Sequence, residues 1–286
     1  MNLLALLAAL WLNGRLPPGG WRSARGFYRY GRWLRARLQP LGLWNHGGGL
    51  ALLLMGPLLA VLVVQWLVYD LLFGLGGLAL GVLALCFAFG GGEPLETELR
   101  RFLAALRAGD TAGARAALAG LQGGQPAPAD DEALPEAAVV ALALRARTRV
   151  FAPVFWFLLL GLIGAFGYRL LVLSRAFGDC HDNAGPGYCA AAGQAVAFAD
   201  WLPNRLLALA LALAGDFAAV RRAWSGAVAE DDRRLGAAAL GALGIPPTGG
   251  ERDLTAAAVQ DAGRLMRRAL YVWLAGVAVG VLAGFL

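Results

Sequence analysis

Val150 to Leu173 reads VFAPVFWFLLLGLIGAFGYRLLVL and carries one charge, Arg169. A helical apolar run of about 17–25 residues crosses a hydrocarbon core roughly 30 Å thick, and a helix satisfies its own backbone where no water can. This stretch therefore predicts a membrane span. The rest of the chain agrees: of 286 residues, 59% are hydrophobic and 15% charged, with a mean hydropathy of +0.60, whereas an ordinary soluble domain is about 25% charged.

Working outward, Leu50 to Tyr69 and Leu71 to Phe89 are two more apolar runs separated by Asp70, which reads as a helical hairpin with its turn at the interface. Tyr271 to Leu286 is a shorter final span whose Gly276, Gly280 and Gly284 repeat at a spacing that lets helices approach closely. Ala195 to Ala214 is a fifth, interrupted by Asp200, Pro203 and Arg205. Met1 to Leu12 is too short to span comfortably and shows no signal-peptide cleavage pattern before Pro17-Pro18, so it reads as a buried or interfacial helix. The expected fold class is all-α: a polytopic membrane protein with about five transmembrane helices, a short apolar N-terminal helix and amphipathic cytoplasmic helices.

All 25 basic residues are Arg, which removes lysine-based chemistry, and the formal net charge is +6. The arginines cluster beside apolar stretches and no nucleic-acid module is recognisable, so the expected partner is the lipid bilayer and not nucleic acid. Seven arginines and no acid lie between Arg15 and Arg37, which places that stretch in the cytoplasm. The chain is then expected as one membrane domain, 1–286, on a bacterial inner membrane. A hairpin at 50–89 follows the Arg-rich segment 14–49; a cytoplasmic helical loop at 90–149 leads to a transmembrane pair at 150–214 around an outer loop at 174–194. A cytoplasmic segment, 215–268, precedes the last span at 269–286. Whether 195–214 crosses decides the side of the C-terminus.

Within the long loop, Leu99, Phe102, Leu103 and Leu106 share one helical face, with acids at the start and bases toward the end. Gly109-Asp110-Thr111 breaks that helix and caps a second through Leu121. Gly123 to Pro128 is a connector, and Pro135 to Ala146 resumes helix. Such a hairpin either lies on the bilayer surface or serves as a lid.

The outer loop holds Asp179-Cys180-His181-Asp182 and Cys189. An oxidising compartment permits a Cys180–Cys189 disulfide; a metal site is the competing use of the same residue types, against which stands the sequence adjacency of Cys180 and His181. Glu230-Asp231-Asp232 with Arg233-Arg234 reads as a solvated helix face, and Trp156, Trp201 and Trp273 as interfacial anchors. His46 and His181 are the only histidines, so a Ser/His/Asp triad lacks material.

Asp200-Trp201-Leu202-Pro203-Asn204-Arg205-Leu206 places an acid and a base where a span would begin. A charge inside a membrane segment costs roughly 2.5–3.5 kcal/mol on insertion scales and so marks a paired or functional group. Two readings stand. In one, the heptad is a structural clamp in which Asp200 and Arg205 neutralise each other or Arg205 caps a neighbouring helix, with Pro203 in a first helical turn where its missing N–H is harmless. In the other, Tyr168, Arg169, Asp200 and Arg205 line a polar ligand pocket between two spans.

Three segments in order resemble one family: Ala104 to Arg115, Phe151-Ala152-Pro153-Val154-Phe155-Trp156 leading to Tyr168-Arg169-Leu170, and the heptad. They are similar to the membrane superfamily that contains the CobD/CbiB proteins of the cobalamin pathway and the AmpE proteins of beta-lactamase regulation. The resemblance runs from about Leu99 to Trp224. The cobalamin enzymes carry Gly-Arg-Asp-Thr where this chain has Leu121-Gln122-Gly123-Gly124, and Glu-Asn-x-x-Asp where it has Ala143 to Thr148. They also carry Ser-Pro-Asn-x-Gly, which nothing between Arg234 and Met266 supplies. The AmpE branch is the better match in length, in its short apolar start followed by arginines with Trp33, and in its last span. That resemblance implies a regulatory or sensory inner-membrane protein linked to cell-wall status and beta-lactamase induction, with no catalytic residues assigned. It also implies cell-wall recycling or membrane proteins as partners and a small-molecule or nucleotide ligand, although without Lys there is no P-loop. The corrinoid-pathway synthase is the alternative.

Overall fold

The computed structural model describes residues 2–17, 19–68, 75–180, 185–225, 230–245 and 255–283. The expected turn at Asp70 lies outside these residues, as do His181, Asp182, Gly284 and the Asp179 and Cys180 side chains, and with them the expected Cys180–Cys189 bridge. The chain is a polytopic helical membrane protein, 82% helix with no strand among the described residues.

The helices are α1 (Asn2–Asn13), α2 (Arg25–Leu38), α3 (Gly47–Val68), α4 (Leu75–Ala88), α5 (Leu95–Arg107), α6 (Thr111–Leu121), α7 (Leu134–Ala146), α8 (Ala152–Cys180), α9 (Pro186–Ala214), α10 (Phe217–Ser225), α11 (Asp231–Ala242) and α12 (Ala256–Leu282). A π turn, Arg147–Phe151, joins α7 to α8. Helix α3, the stretch Leu134–Gly178, α9 and α12 are long and apolar enough to cross a membrane; Leu3–Asn13 and Leu75–Ala88 are shorter apolar helices. Helix α3 leaves Met55, Leu59, Val63, Trp66 and Leu67 exposed, an apolar surface far larger than water tolerates and suited to lipid.

Two compact units divide the chain: Met1–Gly92 with Ala152–Asp200, and Glu93–Phe151 with Trp201–Phe285. In the first, α8 packs against α3 and α4, and α1 against α4. Trp44, from the segment between α2 and α3, is buried and stacks on Tyr188 of α9 with ring centroids 4.9 Å apart. Tyr188 in turn donates to the Ser174 carbonyl at 3.2 Å. Arg22, in the short 3₁₀ turn Gly20–Arg22, is also buried. Its Nε donates to the Cys86 carbonyl at 2.8 Å and its Nη2 to Asn13 Oδ1. Cys86 lies in the last turn of α4, whose carbonyls have no partner within the helix, so a cation there both caps and complements the helix dipole. Burial pulls the Arg22 pKa below its ordinary value, and the neighbouring Cys86 partly opposes that shift.

In the second unit α5, α6 and α7 pack with α10, α11, α12 and the last turns of α9 around one apolar core. The amphipathic pattern of the long loop is realised: α5 buries Leu99, Phe102 and Leu103. Asp110 caps α6 by accepting from the Gly113 N–H at 2.9 Å, and Gly109 turns the chain with φ 70°. Helix α7 is buried on most of its surface, because α6, α11 and α12 all pack against it.

Candidate functional site

The heptad lies within a continuous α9, beginning fourteen residues after its first residue, Pro186. Pro203 is therefore interior, which corrects its expected place in a first turn. An interior proline removes the hydrogen bond to the carbonyl four residues earlier, here that of Ala199. That carbonyl is not left bare: Trp156 Nε1 donates to it at 3.1 Å. Trp156 is thus more than an interfacial anchor. Freed carbonyls in membrane helices are commonly satisfied by a neighbouring helix, and in this chain the Pro-x-Phe-Trp motif supplies the donor for a carbonyl that the heptad frees.

Asp200 and Arg205 stand five residues apart on one helix, about 140° around its axis, and each has a partner of its own, Tyr168 for Asp200 and Asp231 for Arg205. In the first unit, Tyr168 of α8 donates its hydroxyl to Asp200 Oδ1 at 2.7 Å, and both residues are buried. A buried carboxylate accepting a short hydrogen bond is held in one position, and it can accept further donors. Arg169, the next residue, has its guanidinium beside Gly90, just past α4: a β-carbon added there would meet its Nη2 at 3.0 Å. Gly90 has φ 84°, a backbone conformation that favours glycine there.

In the second unit, Arg205 lies over the Trp201 ring with its guanidinium 3.9 Å from the centroid. It also donates to the Trp201 carbonyl at 2.8 Å and pairs with Asp231 at 3.4 Å. Asp231 pairs further with Arg234 at 3.6 Å. The residue just before Arg205 on α9, Asn204, accepts from Arg147 Nη1 at 3.1 Å, and the same nitrogen is bonded to Asp232. Arg147 is 5% exposed. Arg149, two residues along the π turn, donates to the Glu93 carbonyl at 2.5 Å and pairs with Glu98 at 3.4 Å.

The Glu230 to Arg234 run is therefore only partly a solvated face. Glu230 and Arg233 form an exposed pair, whereas Asp231 and Asp232 anchor α11 to Arg205 and Arg147. Sequence reasoning assigns Arg147 no partner; the alternation of arginines at 145, 147 and 149 ahead of a span, matched by an acid pair far along the chain, is the signal that could have found this role. The cluster combines Arg147, Arg205 and Arg234 with Asp231, Asp232 and Asn204. It can position a carboxylate or phosphate through guanidinium forks, but it contains no thiol, imidazole or hydroxyl nucleophile.

Helices of spanning length and apolar surfaces suited to lipid define a multi-pass helical membrane protein. A family model described as CobD/Cbib protein matches residues 3–252, and the chain belongs to that family. No curated protein and no solved structure matches it.

Proposed function

We propose that this chain is a regulatory or sensory inner-membrane protein of the AmpE type within the CobD/CbiB family, without the synthase chemistry of the cobalamin branch. The observation that carries the reading is Arg147. Where the corrinoid synthases have Glu-Asn-x-x-Asp, this chain buries a guanidinium held by Asn204 and Asp232. Carboxylates serve as general bases and as ligands for hard cations. A guanidinium keeps its proton and ligates no metal. At the other replaced motif, Leu121 is buried in the core, and Gly123 and Gly124 turn the chain with φ 77° and 96°, which is a connector's work.

Tyr168, Arg169, Asp200 and Arg205 are our ligand-contact candidates. The Tyr168–Asp200 bond supports the first and third; the Trp201 stack and Asp231 pair support a positioning role for Arg205. A second reading, a corrinoid-pathway synthase or a relative with a shifted substrate, is favoured by the extent of the family match, residues 3–252.

One comparison tests both. The purified protein is titrated with adenosylcobinamide and with ATP, and a deletion strain is assayed for beta-lactamase induction. Altered induction with no corrinoid binding is the expected result. Saturable corrinoid binding with normal induction overturns the regulatory reading in favour of the synthase.

A further inference from the structure

A cavity of about 520 Å³ opens in the second unit between α5, the end of α7 with the π turn, and α12. Its size falls within the range of roughly 300–1,000 Å³ typical of small-molecule sites. Leu103, Leu142, Val150, Phe151 and Met266 make its wall apolar, while Glu96, Arg100, Gln260 and Arg267 form a polar rim. Glu96 holds both Arg100, at 3.7 Å, and Arg267, at 3.3 Å. Gln260 accepts from Arg107 at 2.9 Å. The rim thus sets two guanidinium groups, Arg100 and Arg267, around a single carboxylate, leaving an excess of positive charge beside a hydrocarbon-lined hole. On α12 the cavity coincides with the change from the arginines at 264, 267 and 268 to the uncharged run Ala269–Leu282. Gly263 faces Leu99 across the cavity, where a β-carbon would lie 2.7 Å from Leu99 Cδ2 and push that side chain aside.

An apolar pocket matches a hydrocarbon chain, and paired guanidinium groups match an anionic oxygen cluster. From this charge complementarity we infer that the cavity is a binding site for an anionic phospholipid, with one acyl chain between α5 and α12 and the phosphate on Arg100 and Arg267. The site is separate from the residues assigned to regulation above and does not depend on that assignment.

The test uses the full chain in phosphatidylcholine nanodiscs containing a trace of phosphatidylglycerol with a diazirine at the end of one acyl chain. After irradiation, labelled peptides are mapped by mass spectrometry. Labelling should concentrate in 95–107 and 260–270, and unlabelled phosphatidylglycerol should suppress it while added phosphatidylcholine does not. The double variant R100Q/R267Q should lose labelling several-fold. M266W, which fills the cavity but keeps the arginines, should lose it too while retaining the wild-type thermal transition. Equal labelling by a phosphatidylcholine probe overturns the proposal, as does labelling unchanged in both variants. Suppression by inorganic phosphate as effective as by phosphatidylglycerol also overturns it, assigning the arginines to a free anion.

Discussion

Trp156 and Tyr168 show how two hydrogen-bond donors on α8 handle the polar groups that α9 presents. The indole N–H answers the Ala199 carbonyl that Pro203 leaves without its helical partner, and the phenol answers Asp200. A buried acceptor stripped of its partner costs about 1–3 kcal/mol. Trp156→Phe should therefore lower the midpoint of thermal unfolding in detergent, and Pro203→Ala, which restores the backbone donor, should recover most of that loss. If the double variant is no better than Trp156→Phe alone, the two motifs are not one device. Asp200→Ala and Arg205→Ala, made separately and together, distinguish clamp from pocket: a clamp lowers the amount of protein in the membrane, whereas a pocket abolishes function in protein that still accumulates.

At the scale of elements, α8 is the least regular of the long helices. Gly161 within it has φ 67° and ψ −150°, outside any helical region, and a β-carbon there would meet nothing within 4 Å. The glycine is needed for its backbone angles and not for lack of room. Conformations open essentially to glycine alone cost other residues of order 1–3 kcal/mol, so Gly161→Ala should destabilise the protein by about that amount or straighten the helix. Thermal unfolding measures the first, and a change in spin-label distance between the two halves of α8 the second; wild-type values in both would exclude the kink. Val150 to Leu173 was thus readable as a spanning segment by its hydropathy, while its π turn at Arg147–Phe151 and its break at Gly161 were not. A hydropathy window averages over local φ and ψ, and glycine is too abundant in this chain for one of them to announce a kink.

At the scale of the molecule, the second unit draws together segments far apart in sequence. Asp232 is 44% exposed but holds Arg147, whose side chain is 6% exposed. Removing the acid takes one partner from a buried cation, and breaking a buried pair by removing one member is destabilising; the remaining bond to Asn204 and the partial exposure of Asp232 moderate the loss. Asp232→Ala should destabilise by about 1–3 kcal/mol, with Arg147→Met/Asp232→Leu less harmful than Asp232→Ala alone. If the double variant is instead the weakest, the pair is net stabilising. The expected orientation has its own measurement: thiol labelling of Cys180 and Cys189 after reduction in cells with an intact inner membrane. Labelling only after that membrane is permeabilised would reverse the topology.

The sequence by itself determined that this chain is a helical membrane protein, and it determined the amphipathic α5 and the capped start of α6. Those depend on local quantities: apolar run length, a 3.6-residue period and the short reach of an Asp side chain to a nearby N–H. Three family-like motifs were also legible as strings of residues. Only the tertiary structure decided that Asp200 takes Tyr168 and Arg205 takes Asp231, that Trp156 serves the carbonyl freed by Pro203, and that Arg147 is buried against Asn204 and Asp232. Each of these pairings depends on which faces of distant helices meet, and such meetings are set by packing across long separations that no local pattern encodes.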